Sequence, residues 1–541
     1  MKRRAFVTQG TVAAASIAAI STLACKVDNK SKPVVTGDQP GSIDEFELNE
    51  TTVKELQDKM TNGQYNAEGI TNLYLNRIEA LDKNGPKLNA VIELNPDALA
   101  IAKAMDEERK AGKVRGPLHG IPILIKDNIN TADKMMTTAG SLALVGNVAA
   151  KDAFIVAKLR EAGAVLLGKT NLSEWANFRS TKSCSGWSSR GGQTKMPYYI
   201  DRNPCGSSSG SGAAVSANFC TIAIGTETDG SITCPASTNG VVGIKPTVGL
   251  LSRTGIIPIS FTQDTAGPLT RTVTDAAILL SALTGVDNTD DKTKASEGKA
   301  AKDYTTFLDA KGLQGKRIGI DKKKYENQFL NRLQQQVVDA LKQLGAEIVE
   351  VEYVDKINDL GDEEFEMMKY EFKDGLNKYL STASVTPKTL KDLIDFNTQH
   401  EDDAMPTFKQ DVFVDSEKKT GLDSKEYLAL VNKTNRGSQK IIDDLLKTNN
   451  LDALAGITMG PACAIDTIYG DRWGDVFLTA PAAMSGYPHI SVPAGFVYDL
   501  PVGFSFFGTA WSEGKLISMA YAYEQATKHR RKPAFKAVFA L

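Results

Sequence analysis

A lysine stands at the end of an unbroken apolar run, in Gly120-Ile-Pro-Ile-Leu-Ile-Lys126-Asp127. Burial at the end of a strand favours the neutral amine, and a neutral lysine can serve as a general base near neutral pH. Taken alone, the pattern favours a lysine whose stem covers the strand while its head reaches water. Lys126 is therefore a candidate base only if other reactive groups lie beside it.

A glycine- and serine-rich segment, Cys205-Gly-Ser207-Ser-Ser-Gly-Ser-Gly-Ala-Ala-Val215, passes directly into small and apolar residues. It predicts a tight turn that leads into a helix. Main-chain amides at a helix start can stabilise negative charge, and small side chains allow a substrate or another backbone to approach closely. A flexible linker would have polar flanks, whereas 213–220 is apolar and small, which favours packing inside the protein.

A second serine follows a buried strand, in Thr221-Ile-Ala-Ile-Gly-Thr-Glu-Thr-Asp-Gly-Ser231. Such a turn presents a hydroxyl, although most serines after a glycine are only turn residues. Successive amides of this turn could point together at a developing oxyanion, which is usually the largest single catalytic contribution. The amides in question belong to Thr228, Asp229, Gly230 and Ser231.

Other reactive chemistries have weaker support. No serine lies in a Gly-x-Ser-x-Gly elbow, and none of the four histidines forms a convincing triad with a serine. His119 lies in a tight turn near Lys126, where a structural hydrogen bond is expected. The cysteines form no Cys-x-x-Cys pair and do not cluster with histidine, so no metal and no other cofactor is expected. The histidines are His119, His400, His489 and His529.

One nucleotide-binding pattern is present formally. Gly163-Ala-Val-Leu-Leu-Gly-Lys-Thr170 satisfies the phosphate-binding-loop consensus. A true phosphate-binding loop follows a strand and is itself flexible, whereas a helical pattern precedes Gly163 and strand-forming residues follow it. We therefore expect a strand here and no nucleotide.

Helical and strand-like patterns alternate along the chain, which favours an α/β sheet with helices on both faces. The predicted helices are 70–81, 152–162 and 329–344, and the predicted strands are 121–125, 164–167, 317–320 and 347–351. Residues 287–447 are more charged and more helical than the rest. This subregion could form a lid, but an ordinary solvated helical layer is favoured because charge runs usually mark exposed faces.

The composition indicates a globular protein. Of 541 residues, 42% are hydrophobic and 24% are charged, and the net charge is −2. Nothing in this balance favours binding to nucleic acid or to an anionic membrane. Beyond Cys25, buried free cysteines are preferred over disulfides. These five cysteines are Cys184, Cys205, Cys220, Cys234 and Cys463.

The N-terminus reads as a targeting segment. Arg3 and Arg4 precede an apolar stretch that is too short to span a bilayer comfortably, and the pair resembles a twin-arginine export signal. Residues 1–25 are predicted to be this signal, 26–44 a flexible linker and 45–541 the catalytic domain. Cys25 ends the apolar run in a sequence that resembles a lipoprotein cleavage site, which predicts lipidation of Cys25. The alternative is ordinary cleavage of the signal. The predicted location is the bacterial periplasm or the membrane surface.

Together, three of these motifs in their order resemble the amidase signature family. The separation of 24 residues between Ser207 and Ser231 agrees with the family spacing, and the resemblance covers the chain from residue 45 to its end. It implies one large α/β domain with a mixed central sheet covered by helices on both faces. The motifs are 120–128, 206–214 and 228–232, with further matches at 243–249, 264–268 and 491–496.

The resemblance implies a role for each residue. Ser231 would be the nucleophile that becomes acylated, Ser207 the proton bridge and Lys126 the general base, with the amides of 228–231 as the oxyanion hole. The family also has a cis peptide bond before the bridging serine, here Gly206-Ser207. The implied reaction is hydrolysis of a carboxylic amide to the acid and ammonia or an amine.

Departures from the family pattern bear on the substrate. Thr233 stands where several members that handle carboxylate-bearing substrates have arginine, so an anionic substrate lacks one partner. The stretches 168–180 and 226–229 resemble the peptide-amidase branch, which removes the terminal amide of peptides. We therefore expect a small-molecule or peptide amide as the substrate. The alternative is a catalytically silent surface lipoprotein that keeps the fold as a binding module, although Lys126, Ser207 and Ser231 are all present.

Overall fold

The computed structural model describes residues 46–540, and the predicted signal, Cys25 and the whole of the predicted linker lie outside these residues. The strands are β1 (Val91–Leu94), β2 (Pro122–Lys126), β3 (Val165–Thr170), β4 (Trp187–Ser188), β5 (Gly192–Gln193), β6 (Ile222–Glu227), β7 (Val242–Lys245), β8 (Thr265–Thr270), β9 (Arg317–Asp321), β10 (Glu347–Val351), β11 (Ala453–Ile457), β12 (His489–Val497) and β13 (Leu500–Phe507).

The α-helices of the described residues are α1 (Val53–Thr61), α2 (Ala67–Ile78), α3 (Ala98–Lys110), α4 (Phe154–Glu161), α5 (Ser209–Ser216), α6 (Thr233–Thr238), α7 (Val273–Leu283), α8 (Gln328–Gln343), α9 (Val354–Asn358), α10 (Gly361–Thr382), α11 (Leu390–Gln399), α12 (Glu401–Ala404), α13 (Asp411–Glu417), α14 (Lys425–Val431), α15 (Gly437–Thr448), α16 (Ala480–Ser485) and α17 (Glu513–Thr527). Among the described residues, no helix combines the length and apolarity of a membrane span.

Eleven strands form one mixed sheet in the order β1-β3-β2-β6-β8-β7-β12-β13-β11-β9-β10, and helices cover both of its faces. This confirms the predicted fold class. At its centre β2 pairs in parallel with both β3 and β6, while β6 pairs antiparallel with β8. Every residue of β2, β3 and β6 is buried, as expected for strands covered on both sides. Parallel pairing brings the carboxyl ends of β2 and β6 to the same edge.

The predicted alternation of elements is confirmed, with boundaries shifted by a few residues. The helix predicted over 70–81 is α2 continued by a π-helical turn at Glu79–Lys83. The phosphate-binding-loop pattern forms the buried strand β3, and the Lys169 ammonium donates to the Thr137 hydroxyl at 3.1 Å. The pattern therefore forms a strand, as its sequence context predicted, and not a phosphate-binding loop.

The charged stretch 287–447 contributes β9, α8 and β10 to one end of the sheet and then a run of helices, α9 to α15. Helix α10 packs against the chain at Phe178, whose ring lies edge-on to those of Phe365 and Phe372. Helix α10 also lines a cavity beside Ser231 through Phe365 and Met368. This subregion therefore supplies part of the candidate site's wall.

Candidate active site

Lys126 is the last residue of β2 and is completely buried. Its Nζ lies 2.7 Å from the Ser207 Oγ and contacts Thr226 twice, at 2.8 Å from Oγ1 and 3.2 Å from the carbonyl oxygen. No carboxylate of the described residues forms an ion pair with it. The amine is thus held by hydroxyl and carbonyl groups alone.

Burial lowers the pKa of Lys126 from 10.5 to about 7, although the negative charges of Asp264 and Glu227 oppose this shift. Desolvation penalises the ammonium because few dipoles replace its water shell. About half of the Lys126 side chains are therefore neutral near pH 7. A buried lysine in this state has the free lone pair that a base needs.

Ser207 lies two residues before the start of α5, and the Gly206-Ser207 peptide bond is cis. Small residues are required here because the chain passes close to its neighbours. A Cβ at Gly206 would lie 2.2 Å from the Ser173 hydroxyl oxygen, and one at Gly210 would lie 2.2 Å from the Ala90 carbonyl oxygen. The predicted close approach of another backbone is confirmed at α5.

Ser231 lies four residues beyond the end of β6 and is 7% exposed. The Ser208 N–H donates to the Ser231 carbonyl oxygen at 3.2 Å, which joins the two serine segments. Ser231 lines a cavity of about 400 Å³, whereas Ser207 and Lys126 are fully buried. The arrangement is layered, with one hydroxyl facing the cavity and the second hydroxyl and the amine in the protein interior.

The turn before Ser231 leaves main-chain donors free. Among the described residues, the N–H groups of Asp229, Gly230 and Ser231 have no hydrogen-bond acceptor. The next amide, Ile232, donates to the buried Glu227 carboxylate at 2.7 Å, which holds the turn from the far side. Gly230 has φ +78°, a conformation that favours glycine. The N–H groups of 229–231 can therefore receive a negatively charged oxygen.

The N–H of Thr228, the fourth residue predicted for the oxyanion hole, likewise has no acceptor among the described residues, and the rest of Thr228 is held by hydrogen bonds. Its hydroxyl donates to the Asp264 carboxylate at 2.6 Å, and its carbonyl oxygen accepts from the Gln263 side chain at 3.3 Å. These contacts fix the start of the turn against the segment before β8.

Sequence reasoning missed the residues that hold the lysine. The Thr226 Oγ1 is 2.8 Å from Lys126 Nζ and accepts a hydrogen bond from Asn128 Nδ2 at 3.0 Å. Asn128 stands inside the motif 120–128, and Thr226 stands inside the stretch 226–229 that resembles the peptide-amidase branch. The sequence offered no sign that they meet, since they are 98 positions apart.

The wall of the Ser231 cavity is apolar and aromatic, with hydroxyl groups and two carboxylates, and no lysine or arginine belongs to its described lining. A second cavity of about 710 Å³ reaches Thr226 and Asp264, and the two cavities share Ala176, Thr228 and Ile259. Large apolar residues of the first wall are Phe178, Ile259, Phe365, Met368, Trp473 and Phe477.

The histidines do not contribute to this site. His119 Nε2 pairs with the Met105 carbonyl oxygen at 2.9 Å, which is the predicted structural bond. His489 lies in β12 beside the Ser505 hydroxyl, and burial lowers its pKa to about 3. Among the described residues, no group of three or more His, Cys, Asp or Glu side chains could hold a metal ion.

The expectation of free cysteines is wrong for one pair. Cys205 and Cys234 form a disulfide with Cα atoms 6.0 Å apart, while Cys184, Cys220 and Cys463 are free. Sequence spacing gave no reason to pair these two residues. They meet because the turn that contains Ser207 packs against the start of α6. The bond links the chain just before Ser207 to the chain just after Ser231.

These features define an enzyme of the α/β class with a serine facing a cavity and a buried lysine in the adjoining interior. The amidase family model matches residues 69–517, so the chain belongs to the amidase family. A protein of Arabidopsis thaliana named Probable amidase is 43% identical over 504 residues, covering 91% of this chain and 92% of that protein. The protein described here is an amidase, a hydrolase of carbon-nitrogen amide bonds.

Solved structures indicate the branch. The native peptide amidase from Stenotrophomonas maltophilia is 50% identical and has a TM-score of 0.87, covering 91% of this chain and 99% of that one. An amidase family protein from Bacillus anthracis is 36% identical and has a TM-score of 0.81, covering 92% of this chain and 95% of that one. The predicted likeness to the peptide-amidase-like branch is confirmed.

Proposed function

We propose that this amidase hydrolyses a primary carboxamide at the end of a peptide, through an acyl-enzyme on Ser231. One observation carries the mechanism. A lysine that is about half neutral near pH 7 lies 2.7 Å from Ser207, and the Ser208 N–H donates to the Ser231 carbonyl oxygen, which joins the two serine segments.

Hydrogen-bond polarity supports a base role for Lys126. A neutral amine has two N–H bonds and one lone pair. If both N–H bonds point at Thr226, one to its hydroxyl and one to its carbonyl oxygen, the lone pair is left for the Ser207 hydroxyl at 2.7 Å. The Asn128 amide also donates to the Thr226 Oγ1, which favours an acceptor role for that oxygen toward Lys126. Thr226 thus orients the lone pair of the base.

The proposed reaction has two stages. Lys126 takes the Ser207 proton while Ser207 takes the Ser231 proton, and the Ser231 oxygen bonds to the amide carbon. The negative oxygen that forms is bound by the free amides of 229–231. The relay then returns a proton to the nitrogen, because an amide anion is a very poor leaving group, and the carbon-nitrogen bond breaks. Water hydrolyses the acyl-enzyme by the same relay, releasing the acid.

The cavity supports an uncharged carboxamide at the end of an apolar or aromatic acyl group. Its described lining offers no cation to a carboxylate, and its carboxylates disfavour one. Asn177 belongs to the lining of this cavity, and its side-chain oxygen is buried without a hydrogen-bond partner, which a carboxamide N–H that reached it would satisfy.

The proposal is tested by labelling and turnover. We expect a fluorophosphonate to modify Ser231, and a peptide amide to release ammonia in a reaction that Ser231→Ala abolishes. Ser216→Ala, which removes a buried hydroxyl away from the cavity, is the matched control and should keep both properties. Ammonia release by Ser231→Ala at the unmutated rate would contradict the mechanism. Absence of both labelling and turnover in the unmutated protein would favour the silent binding module.

We also propose that residues 1–25 direct export and that residues 26–44 tether the domain 45–541 outside the cytoplasm, with lipid on Cys25. The support is the sequence pattern of arginines, apolar run and cysteine. Cell fractionation and labelling with a fatty-acid analogue test this. A Cys25→Ser variant should lose the label, and a protein found only in the cytoplasm would contradict export.

A further inference from the structure

Asp229 borders the Ser231 cavity with two groups, its main-chain N–H and its side-chain carboxylate, and the proposed mechanism uses only the first. Its main-chain N–H belongs to the free amides beside Ser231, and its side chain lines the Ser231 cavity. The Thr479 hydroxyl donates to its Oδ1. No described residue donates to its Oδ2. Asp229 is partly exposed and lines the cavity. One carboxylate oxygen is therefore available to a bound molecule.

The other carboxylate of this wall has no free oxygen. Both oxygens of Asp471 accept from the Ser185 N–H, at 3.0 and 3.1 Å, and Asn203 donates to Oδ1 at 2.7 Å. The indole N–H of Trp473 donates to Oδ2 at 3.3 Å. Asp471 is thus a structural group that holds the loop 471–473 against the chain at 185. Of the two acids, only Asp229 can receive a donor from a substrate.

The electrostatics at Asp229 favour a hydrogen-bond donor on the bound substrate. Burial and the neighbouring Glu227 raise its pKa to about 7. The buried Glu364 of α10 accepts from the Gln263 amide at 2.6 Å, and burial together with Asp229 raises the pKa of Glu364. An additional N–H beside the free oxygen of Asp229 would stabilise its carboxylate form. A carboxylate in the same place would be repelled.

Building on the proposed function, we propose that the Asp229 carboxylate accepts a hydrogen bond from the N–H group on the carbon next to the scissile carboxamide. The nitrogen on that carbon lies about 2.5 Å from the carbonyl carbon under attack by ordinary covalent geometry. That carbonyl carbon lies beside the amide array to which Asp229 itself contributes. A carboxylate two residues before the nucleophile is within reach of such a nitrogen.

This assigns Asp229 as a positioning residue that defines the substrate class. Amides of α-amino acids, whether free or at the end of a peptide, carry an N–H at this place. Simple aliphatic and aromatic amides do not. The enzyme should therefore prefer α-aminoacyl amides over amides of the same size and apolarity that lack the N–H.

A matched pair of substrates isolates this one hydrogen bond. N-acetyl-phenylalaninamide has the N–H, and 2-acetoxy-3-phenylpropanamide has an ester oxygen in its place with nearly the same shape. Ammonia release measures only cleavage of the carboxamide, because hydrolysis of the ester releases no ammonia. For the unmutated enzyme we expect kcat/KM to be about 10- to 100-fold higher for the first substrate, as for loss of a hydrogen bond to a charged group.

The ratio of the two kcat/KM values is the readout, because a general loss of activity cancels in it. Asp229→Asn should bring the ratio close to one, and Asp229→Ser provides the same test if the first variant does not fold. Asp471→Asn, which changes the other carboxylate of the wall, should keep the ratio.

The outcomes separate this inference from the proposed function. A ratio near one in the unmutated enzyme, or an unchanged ratio in Asp229→Asn, would overturn the role of Asp229 and leave the amidase mechanism standing. Hydrolysis of neither substrate by the unmutated enzyme would contradict the proposed peptide-amide specificity and this inference with it.

Discussion

Replacing Thr226 by valine tests how Lys126, the proposed base, is held. Valine has nearly the same shape but no oxygen on its side chain, so Lys126 loses the acceptor at 2.8 Å and keeps the carbonyl oxygen at 3.2 Å. We expect two separate effects on kcat/KM. The plateau at high pH should fall, and the acidic limb of the pH profile should move to lower pH.

The sign of the pH shift follows from the charged form of Lys126. An ammonium is a stronger donor than an amine, so removing an acceptor disfavours the ammonium more and lowers the pKa further. A hydrogen bond to a charged group contributes roughly 1.5–3 kcal/mol, which corresponds to about 1–2 pH units. The limb should therefore move from about 7 to roughly 5–6, starting from the value set by burial.

The plateau should fall because the lone pair is no longer directed at Ser207. With one N–H free to rotate, a smaller fraction of the amines points correctly, and a loss of about 10- to 100-fold is expected for such a misplacement. Thr226→Ser restores the oxygen and should restore both the plateau and the limb. The Asn128 amide, which also loses its acceptor, adds a stability cost of about 1–3 kcal/mol that a melting curve would detect.

The assay is ammonia release from a peptide amide at pH 5 to 9, with kcat/KM taken at each pH. A limb that stays near 7 or moves upward in Thr226→Val would show that the Thr226 Oγ1 does not contact the titrating base. A plateau equal to that of the unmutated enzyme would refute the orientation argument. Failure of Thr226→Ser to rescue would mean that the threonine methyl, and not its oxygen, is important.

Three further changes have defined outcomes. Lys126→Met should abolish activity but raise the free energy of unfolding at pH 7 by about 2–4 kcal/mol, because between pH 7 and 10.5 Lys126 is protonated in the unfolded chain and mostly neutral in the folded one. Denaturant titrations should show this gain shrinking as the pH rises toward 10.5. Gly206→Ala should lower both activity and melting temperature, at a cost of about 1–3 kcal/mol, since its methyl would lie 2.2 Å from the Ser173 hydroxyl; normal values would contradict the close packing. Cys205→Ser removes the disulfide, which joins residues 29 positions apart and should stabilise the folded state by about 3–4 kcal/mol. A reductant should therefore lower the melting temperature of the unmutated protein to that of the variant and leave the variant unchanged.

Local patterns predicted much of the fold because burial and backbone geometry act over short stretches. The apolar run before Lys126 predicted a strand, and the glycine-serine segment predicted a tight turn with a close neighbour, and the structure has both. The strand-forming residues after Gly163 likewise excluded a phosphate-binding loop. In each case the signal itself is a short stretch of sequence, although the partners that it meets are distant in the chain.

Long-range pairings could not be predicted in the same way. Thr226 meets Lys126 because β2 and β6 pair in parallel, and Asp264 meets Thr228 because β8 pairs antiparallel with β6. No local pattern specifies that strand order. The Cys205–Cys234 disulfide depends on the same packing, and its absence from the sequence-based expectation has that cause.

The proposed role of Lys126 as the base imposes requirements on the surrounding site. Its amine must remain neutral, so no carboxylate can pair with it directly, yet its two N–H bonds must be satisfied without occupying the lone pair. One threonine meets both needs by offering a hydroxyl and a carbonyl oxygen on the same residue, at the carboxyl end of the neighbouring parallel strand. The acids of the site, Asp264 and Glu227, are held by other donors and act on the lysine only through space. Because the two carboxylates do not contact the amine, their charge raises its basicity without forming an ion pair that would keep it protonated.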